Sequence, residues 1–559
     1  MMKQLFTLLL LFPLLTLNAQ NTVGLLTNEI EQVYPGYNLL YPSNQPNVYL
    51  LDNCGQVVHT WEGESGFVPG NSAYLLENGN LVKCKRATTS AVNDRIWAGG
   101  GGETVELVTW ENELLASFTL NNERARLHHD IAPMPNGNIL MIAWELRNST
   151  ESIQAGRDPA LLAQDEIWSE MILEWDPIGD SIVWEWHAWD HLVQQFVDDG
   201  IQIENFGLVA SHPELININY DEHDGHPDWL HINAIDYNPV LDQIVVSVPY
   251  FNEFWLIDHS TTTEEASGHT GGNSGKGGDL LYRWGNPAAY NRGTIADKKC
   301  FFQHDVHWVQ PRATANDPNF GVIALFNNRV GVDFATINSI KTSYDEMTQS
   351  YRQDNQVFQP TNFQTTFVYP EVSDIRAFSN SLSSAQYLPN GNVLAISGRY
   401  GFAYELNPAQ EVVWNYIVPF RAGASVMQGD SLERNNNITF KIERYPLSYI
   451  GFRGKDLTPS GFLELEPNTD FCGMIVSTDE VESAQTIRVF PNPTQDYLTV
   501  TINEGEQQLA AIYSIEGVLV KEFLIEGSTT VDLQDFSTGI YFLQVGGRLS
   551  QKIFIITGS

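Results

Sequence analysis

Two short phrases recur along the middle of this chain, and their recurrence limits the fold more than any other feature. One is an Asn-Gly turn followed by an apolar strand. It occurs as Pro135-Asn136-Gly137-Asn138 before Ile139-Leu140-Met141-Ile142, as Pro389-Asn390-Gly391-Asn392 before Val393-Leu394-Ala395-Ile396, and as Glu77-Asn78-Gly79-Asn80 before Leu81-Val82. Asn-Gly supplies the positive φ angles that a tight hairpin needs. The other phrase is a strand ending in aromatic residues: Val57–Trp61, Ile182–Trp186, Leu281–Trp284 and Val412–Tyr416. Hairpins built on a shared motif and spaced tens of residues apart are the signature of propeller blades. Five units begin near Asn71, Arg126, Asp228, Phe301 and Ser379. Strand-like remainders at Tyr37–Trp61 and Ile438–Arg453 join across the two ends into a sixth blade, closing the ring and removing free sheet edges. The expected architecture is all-β: a six-bladed β-propeller over residues 21–460, a Pro-, Thr- and Ser-bearing linker at 461–486, and a small Ig-like β-sandwich at 487–559.

The first twenty residues read as an export signal. Lys3 supplies a positive start, Leu5 to Leu17 an apolar run, and the small residue Ala19 precedes Gln20. That pattern marks a signal peptide and is too short for a membrane span. Nothing downstream approaches eighteen uninterrupted apolar residues, so no stable membrane insertion is expected. Four cysteines, Cys54, Cys84, Cys300 and Cys472, allow two disulfides in any of three pairings in an oxidising compartment. There is no CxxC. Against 68 Asp and Glu stand 30 Lys and Arg, a net charge of -38, which repels phosphate backbones and excludes nucleic acid as a partner. A long insert, from Arg157 to Pro227, interrupts the second unit, with helical character expected at Asp158–Gln164 and Ala188–Val197. Insertions of this length serve as lids, as binding loops or as passive surface.

The tail reads as short strands at Arg488–Phe490, Tyr497–Ile502, Leu509–Tyr513, Val518–Ile525, Thr529–Leu533, Ile540–Val545 and Lys552–Ile556. Phe490-Pro491-Asn492-Pro493, Gly517-Val518-Leu519-Val520, Thr538 to Val545 and Gln551-Lys552-Ile553 resemble the C-terminal sorting domain of type IX secretion substrates. The resemblance implies an address read by the type IX machinery of a Bacteroidetes-type cell. Cargo crosses the periplasm and the outer membrane, and is then secreted or held at the cell surface.

In a propeller, the first residues of each innermost strand gather round the central channel. Here three consecutive blades begin with histidine: His128-His129, then His231, then His304 with His307. Three readings follow. The histidines can form a structural ring, with Asp130 and Asp305 satisfying their neighbours. With His223, His226 and Asp228 from the insert they can also ligate a transition metal, although the spacing matches no metal motif and no cofactor is expected. The third reading comes from resemblance. Asp228-Trp229-Leu230-His231-Ile232-Asn233 through Tyr237, the Asp242 to Ile257 strand pair, Gln303-His304-Asp305, the Leu127-His128-His129-Asp130 blade and the Ile182 to Leu192 segment resemble the arylsulfate sulfotransferase family, over about Thr22 to Ser460. That resemblance implies transfer of a sulfuryl group from phenolic sulfate esters to phenols, without a nucleotide donor.

Sulfuryl transfer spreads charge over equatorial oxygens, which cationic donors stabilise. An imidazole nucleophile divides it into two half-reactions, and a further group must move a proton to and from the phenolic oxygen. By the resemblance, His231 and His304 are sulfate-contacting and proton-transferring histidines, and Arg329 in Phe326-Asn327-Asn328-Arg329 is the sulfate clamp. The family's nucleophilic histidine, from a later blade, has no counterpart: no histidine follows His307, and the matching phase reads Ser381-Leu382-Ser383-Ser384-Ala385-Gln386. The nucleophile therefore falls to His129, His231 or His304, unless transfer is direct. The alternative is a non-catalytic propeller that binds a ligand or partner in its channel.

Overall fold

The computed structural model describes residues 21–90, 94–198, 201–371, 374–469 and 471–474, and in the tail 488–490, 494, 496–502, 508–514, 519–545 and 548–555. The expected signal peptide lies outside the described residues. The chain divides into two compact units, residues 1–475 and 476–559. In the first, the described residues form six larger antiparallel sheets, each a blade. Blades I to V span Phe67–Thr119, Ala125–His187, Ala234–Trp284, His304–Phe367 and Ser384–Ile417. Blade VI joins the two ends: Thr439–Pro446 lies innermost, followed by Gly36–Pro42, Val48–Leu51 and Val57–Trp61. The two remainders of the repeat thus make the closing blade. Unforeseen was Gly24–Asn28, which pairs with Val412–Ile417 as a fifth, outermost strand of blade V.

The recurring turn has one geometry in three blades. The amide of Met134 donates to the Asn138 carbonyl at 2.9 Å, Leu388 to Asn392 at 2.8 Å and Leu76 to Asn80 at 2.8 Å. Only the glycine of each turn takes a positive φ, 94° at Gly137, 87° at Gly391 and 84° at Gly79. The loop is therefore a turn closed by one left-handed glycine, not the two-residue mirror-image hairpin that needs positive φ at both central residues. The aromatic-ended strands are the fourth strands of blades II, III, V and VI, outermost in all but blade V, where Gly24–Asn28 is added outside. Blade I ends instead in Leu114–Thr119, which lacks the phrase, and blade IV in the short Thr365–Phe367, whose single aromatic is Phe367.

Strands buried on both faces read as continuous apolar runs, and side-chain alternation then divides each run between two neighbours. Val245 packs toward blade IV, while Ile244 and Val246 pack toward blade II. Leu39 and Leu50 face blade I, and Leu40 and Leu51 face blade V. Apolar clusters fill all six interfaces, I–II, II–III, III–IV, IV–V, V–VI and VI–I, so the ring is closed by the same packing that builds it.

Closure is braced by polar contacts. The buried Arg444 guanidinium pairs with Glu405 of blade V, donates from Nε to Asn38 Oδ1 at 2.7 Å, and donates to the Tyr34 carbonyl at 3.0 Å. Cys54 and Cys472 form a disulfide with Cα atoms 5.6 Å apart, whereas Cys84 and Cys300 are buried free thiols in different parts of the ring. One bridge therefore forms of the two that four cysteines allow. It fastens the stretch that carries Phe462, Leu463 and Cys472, expected as linker, to the closing blade; Leu463 is buried there, and Gln56 pairs with Phe462.

The insert contains less helix than its sequence suggests. A 3₁₀ turn covers Pro159–Leu161 and another Ala188–His191, but Leu192–Val193 is already extended, paired with Ile216–Asn217. The α-helix of this region lies earlier, at Ser149–Gln154, capped by Asn148. Burial of Arg157 against Asp221 and the Ile218 carbonyl ties the insert's two ends together, which local propensity does not report. In the tail unit, a three-stranded and a four-stranded antiparallel sheet share a core of Leu498, Val500, Ile512, Ile525 and Leu543.

Because the disulfide spans 418 residues of sequence, it restricts the unfolded chain strongly. Cys54→Ser is expected to lower stability by about 2–4 kcal/mol, the range typical of a removed native bridge. Thermal melting followed by near-UV circular dichroism checks this; an unchanged Tm would show that the bridge adds nothing to closure.

Candidate active site

Inner strands break their ladders where they reach the channel. Register slips occur between Pro69 and Ala73, opposite Met141 to Ala143, between His304 and His307, and opposite Leu40 to Pro42. At or beside the channel, non-glycine residues take positive φ: 109° at Asn71, 50° at His129, 55° at His231, 54° at Asp305 and 91° at Ser383. Such conformations persist only where surrounding contacts impose them. Their effect is to send adjacent residues to different clusters. In blade II, His129 joins the histidines while Asp130 joins a carboxylate group. In blade IV, His304 and Asp305 divide in the same way.

The carboxylate cluster surrounds a channel cavity of about 260 Å³ lined by all six blades. At its centre Lys441 Nζ stands 2.7 Å from Asp305 Oδ1 and donates to Tyr74 Oη at 2.8 Å; Tyr74 donates in turn to Asp130 Oδ1 at 2.7 Å. Burial opposes the lysine's charge, but Asp305, Tyr74 and Asp130 outweigh it and hold its pKa above the usual lysine value. Burial raises the Asp130 carboxyl. His307 belongs here, donating from Nδ1 to the Asp305 carbonyl at 2.8 Å, and so lies apart from the other channel histidines.

The histidine cluster is a continuous chain of contacts. Glu170 Oε2 lies 2.7 Å from His128 Nε2, and His128 Nδ1 lies 2.8 Å from His129 Nδ1. The His129 ring meets the His231 ring at 4.6 Å between centroids and 77°. His231 Nδ1 lies 2.6 Å from Asp228 Oδ2, and the other oxygen of that carboxylate accepts from Trp144 Nε1 at 3.0 Å. Neither His129 Nε2 nor His231 Nε2 has a hydrogen-bond partner among the described residues. Burial, followed by the fields of neighbouring histidines, pushes the His128 and His129 pKa values well below the usual imidazole range. Burial, followed by Asp228, pushes Glu170 well above the carboxylate range. Protonation of Glu170 sets the tautomers: an ionised Glu170 leaves His129 Nε2 a bare lone pair, and a protonated one leaves it an N–H. A Cβ on Gly100 would stand 2.0 Å from His129 Nε2, so only glycine fits over this ring.

His304 sits differently. Its Nδ1 donates to Asn328 Oδ1 at 2.8 Å, and its Nε2 accepts the Leu382 amide at 3.0 Å. Burial lowers its pKa to about 3, so it is neutral, and both nitrogens are engaged within the protein. It holds the Ser379–Ser383 loop, which stands where the late-blade histidine was sought. Three arginines converge on that loop. Arg329 donates to the Asn380 carbonyl at 2.9 Å with its guanidinium over the Phe302 ring, Arg399 donates to Ser381 Oγ at 2.8 Å, and Arg434 donates to Asn380 Oδ1 at 2.5 Å. The Arg399 pKa is lowered by burial and then by the charges of Arg434 and Arg329. None of the three pairs with a described carboxylate, in a chain of net charge -38.

The insert's histidines form no metal set with Asp228. That carboxylate is turned to His231 and Trp144, and His226 Nδ1 accepts the Asp228 amide at 3.2 Å. His223 packs tilted against Tyr250, whose ring stacks on His231 at 4.8 Å.

A model of the arylsulfotransferase (ASST) family matches residues 37–443, and a secretion system C-terminal sorting domain matches residues 488–556. The chain belongs to the arylsulfotransferase family. Its sorting domain marks an exported protein, secreted or displayed at the cell surface, and no helix among the described residues is long and apolar enough to cross a membrane. No curated protein matches the chain. Among solved structures it is similar to a Bacteroides caccae protein of unknown function (10% identity, 68% of this chain and 94% of that one, TM-score 0.36). It is also similar to a virginiamycin B lyase from Staphylococcus aureus (11% identity, 75% and 98%, TM-score 0.31) and to the Dos1 propeller (8% identity, 96% and 96%, TM-score 0.29). At these TM-scores the three bear on no detail of this arylsulfotransferase.

Four site residues escaped sequence reasoning: Glu170, Asp228 as the partner of His231, Arg399 and Arg434. Glu170 lies on the third strand of its blade, away from the inner-strand phase that flags channel residues. The arginines belong to blade V and to the loop after it, with no shared motif. An asymmetry in arginine number could have hinted at them, since positive charge is scarce in this sequence.

A depressed folded-state pKa on a buried histidine means that the unfolded chain binds the proton first. Stability contributed by His304 is therefore full above about pH 6.5, the ordinary histidine value. It declines as pH falls toward the folded value of about 3. His304→Gln is expected to flatten the acid side of a Tm-versus-pH curve between pH 6 and 4. An equally steep loss in the variant would assign acid sensitivity to other groups.

Proposed function

We propose that this arylsulfotransferase moves a sulfuryl group from a phenolic sulfate ester to a second phenol by way of a sulfated His231, without a nucleotide donor. The observation that carries this reading is the pairing of two imidazoles from adjacent blades, in ring contact, with separate carboxylate supports, His231 on Asp228 and His129 on His128–Glu170. A nucleophile and a proton carrier need different tautomers and different partners, and adjacent blades provide both.

In the first half-reaction His231 Nε2 attacks sulfur as the bond from sulfur to the aryl oxygen breaks. The leaving oxygen takes the proton of His129 Nε2. His129 Nδ1 is refilled from His128 Nδ1, and His128 Nε2 from Glu170, which ends ionised. Asp228 accepts the retained Nδ1–H of His231 and offsets the positive charge of the sulfated ring. In the second half the acceptor phenol gives its proton to His129 Nε2, the relay runs back to Glu170, and the phenolic oxygen attacks sulfur as the sulfur–nitrogen bond breaks. Arg329, Arg399 and Arg434 supply the cations for the sulfuryl oxygens, and the aromatic wall of Tyr250 and Phe302 faces the ring of the ester. His304 is a positioning residue in this scheme, holding the arginine-bearing loop through the Leu382 amide.

The test is acceptor-dependent release of 4-nitrophenol from its sulfate by the mature chain, with the sulfated acceptor identified by mass. His231→Ala is expected to abolish turnover, and Arg399→Ala to reduce kcat/KM about 100-fold, as loss of a preorganised donor does. Glu170→Gln, which still donates to His128 but passes no proton, is expected to lower kcat by about 100-fold with KM little changed. Wild-type activity no greater than that of His231→Ala, across several donors and acceptors, would overturn the reaction. It would favour a ligand-binding channel, which the internally satisfied His304 also suits.

A further inference from the structure

Away from the channel, the exit of blade II and the glycine-rich loop before the last strand of blade III bring together His191, His269 and Asp279. Among the described residues these are the three His, Cys, Asp or Glu side chains whose ligand atoms all lie within 4.8 Å of one another. His191 is wholly buried and His269 is largely exposed. Asp279 Oδ1 is 2.9 Å from His191 Nδ1 and 2.7 Å from His269 Nδ1.

The His191 ring is the telling member. Its other nitrogen, Nε2, lies 2.9 Å from the Ala266 carbonyl, which can only accept a hydrogen bond. That contact takes up the Nε2–H and aims Nδ1 at a carboxylate oxygen, the direction in which a shared cation is held. A backbone carbonyl behind one imidazole nitrogen is the usual support for metal ligation through the other. Orientation is set from two further sides, Trp186 and Gly278, which are joined to each other. Trp186 stacks on the ring at 5.6 Å and 6°, Trp186 Nε1 donates to the Gly278 carbonyl at 2.8 Å, and a Cβ on Gly278 would stand 2.6 Å from His191 Nε2. His269, arriving from a different part of the chain, points at the same oxygen. One divalent ion can be shared by all three ligand atoms, which lie within 4.8 Å of one another.

We infer that His191 Nδ1, His269 Nδ1 and Asp279 bind a divalent transition metal of the kind imidazole favours, zinc foremost, with a fourth position open to solvent on the His269 side. The ion fastens the loop from Gly268 to Gly278 to the exit of blade II. Six of that loop's eleven residues are glycine, and Gly271, Gly272, Gly275 and Gly277 have positive φ, so its own side chains do little to hold it.

The full mature chain, stripped of metal and titrated with zinc alone, tests the site. One equivalent is expected to bind by elemental analysis and to raise Tm. His269→Ala, at an exposed position, should fold with the Tm of the metal-free wild type and bind zinc at least 100-fold more weakly, beyond the loss of about 10–100-fold that removing an outer support brings. His231→Ala should keep its equivalent. Failure of the wild type to retain zinc, equal retention by His269→Ala, or loss of zinc in His231→Ala in place of His269→Ala would each overturn the assignment; the last would put the ion among the channel histidines.

Discussion

Everything in the first unit depends on one pairing, the C-terminal strand Thr439–Pro446 against the N-terminal strand Gly36–Pro42. Without it five blades would end in two open edges, and the apolar faces of blades I and V would each lack a neighbour. Because the C-terminal strand is innermost, closure also delivers Lys441 into the channel, where its charge meets Asp305 and the Tyr74–Asp130 pair. Ring closure and channel electrostatics are thus set by the same eight residues. Arg444 on that strand carries the link outward to Glu405 of blade V.

The channel is divided by chemistry. One cluster is a lysine among carboxylates, satisfied by its own members. The other is a set of buried imidazoles beside arginines that have no acidic partner among the described residues. The division rests on the strained residues of the inner strands, since a regular strand would alternate its side chains and could not send His129 to one cluster and Asp130 to the other with both so near the axis. Strain of this kind is found where tertiary packing over-determines the backbone, and here it lies in the strands that carry the site.

Burial then decides what these groups are. The same desolvation that keeps His128, His129 and His304 uncharged raises Glu170, so the donor at one end of the relay and the acceptor at the other are displaced in opposite directions. Hydrogen bonding separates His304 from His129 and His231, although all three share one position in the repeat. Its nitrogens are spent on Asn328 and Leu382, so its contribution is to hold a loop.

Read alone, the sequence determined the repeat, the blade count, the closing of the ring from its two ends, the strands of the tail and the gathering of histidines from three consecutive blades. These follow from local rules: glycine at left-handed turns, apolar runs of strand length, and a fixed offset within each blade. Tertiary structure alone decided the rest. Pairing of Cys54 with Cys472, the extended course of Leu192–Val193, and the placing of Glu170, Arg399 and Arg434 all depend on contacts between residues far apart in the chain. No window along the sequence contains those contacts. Equally, nothing in the phase of His304 could show that its lone pair was already taken, because hydrogen-bond satisfaction belongs to the folded neighbourhood and not to the residue.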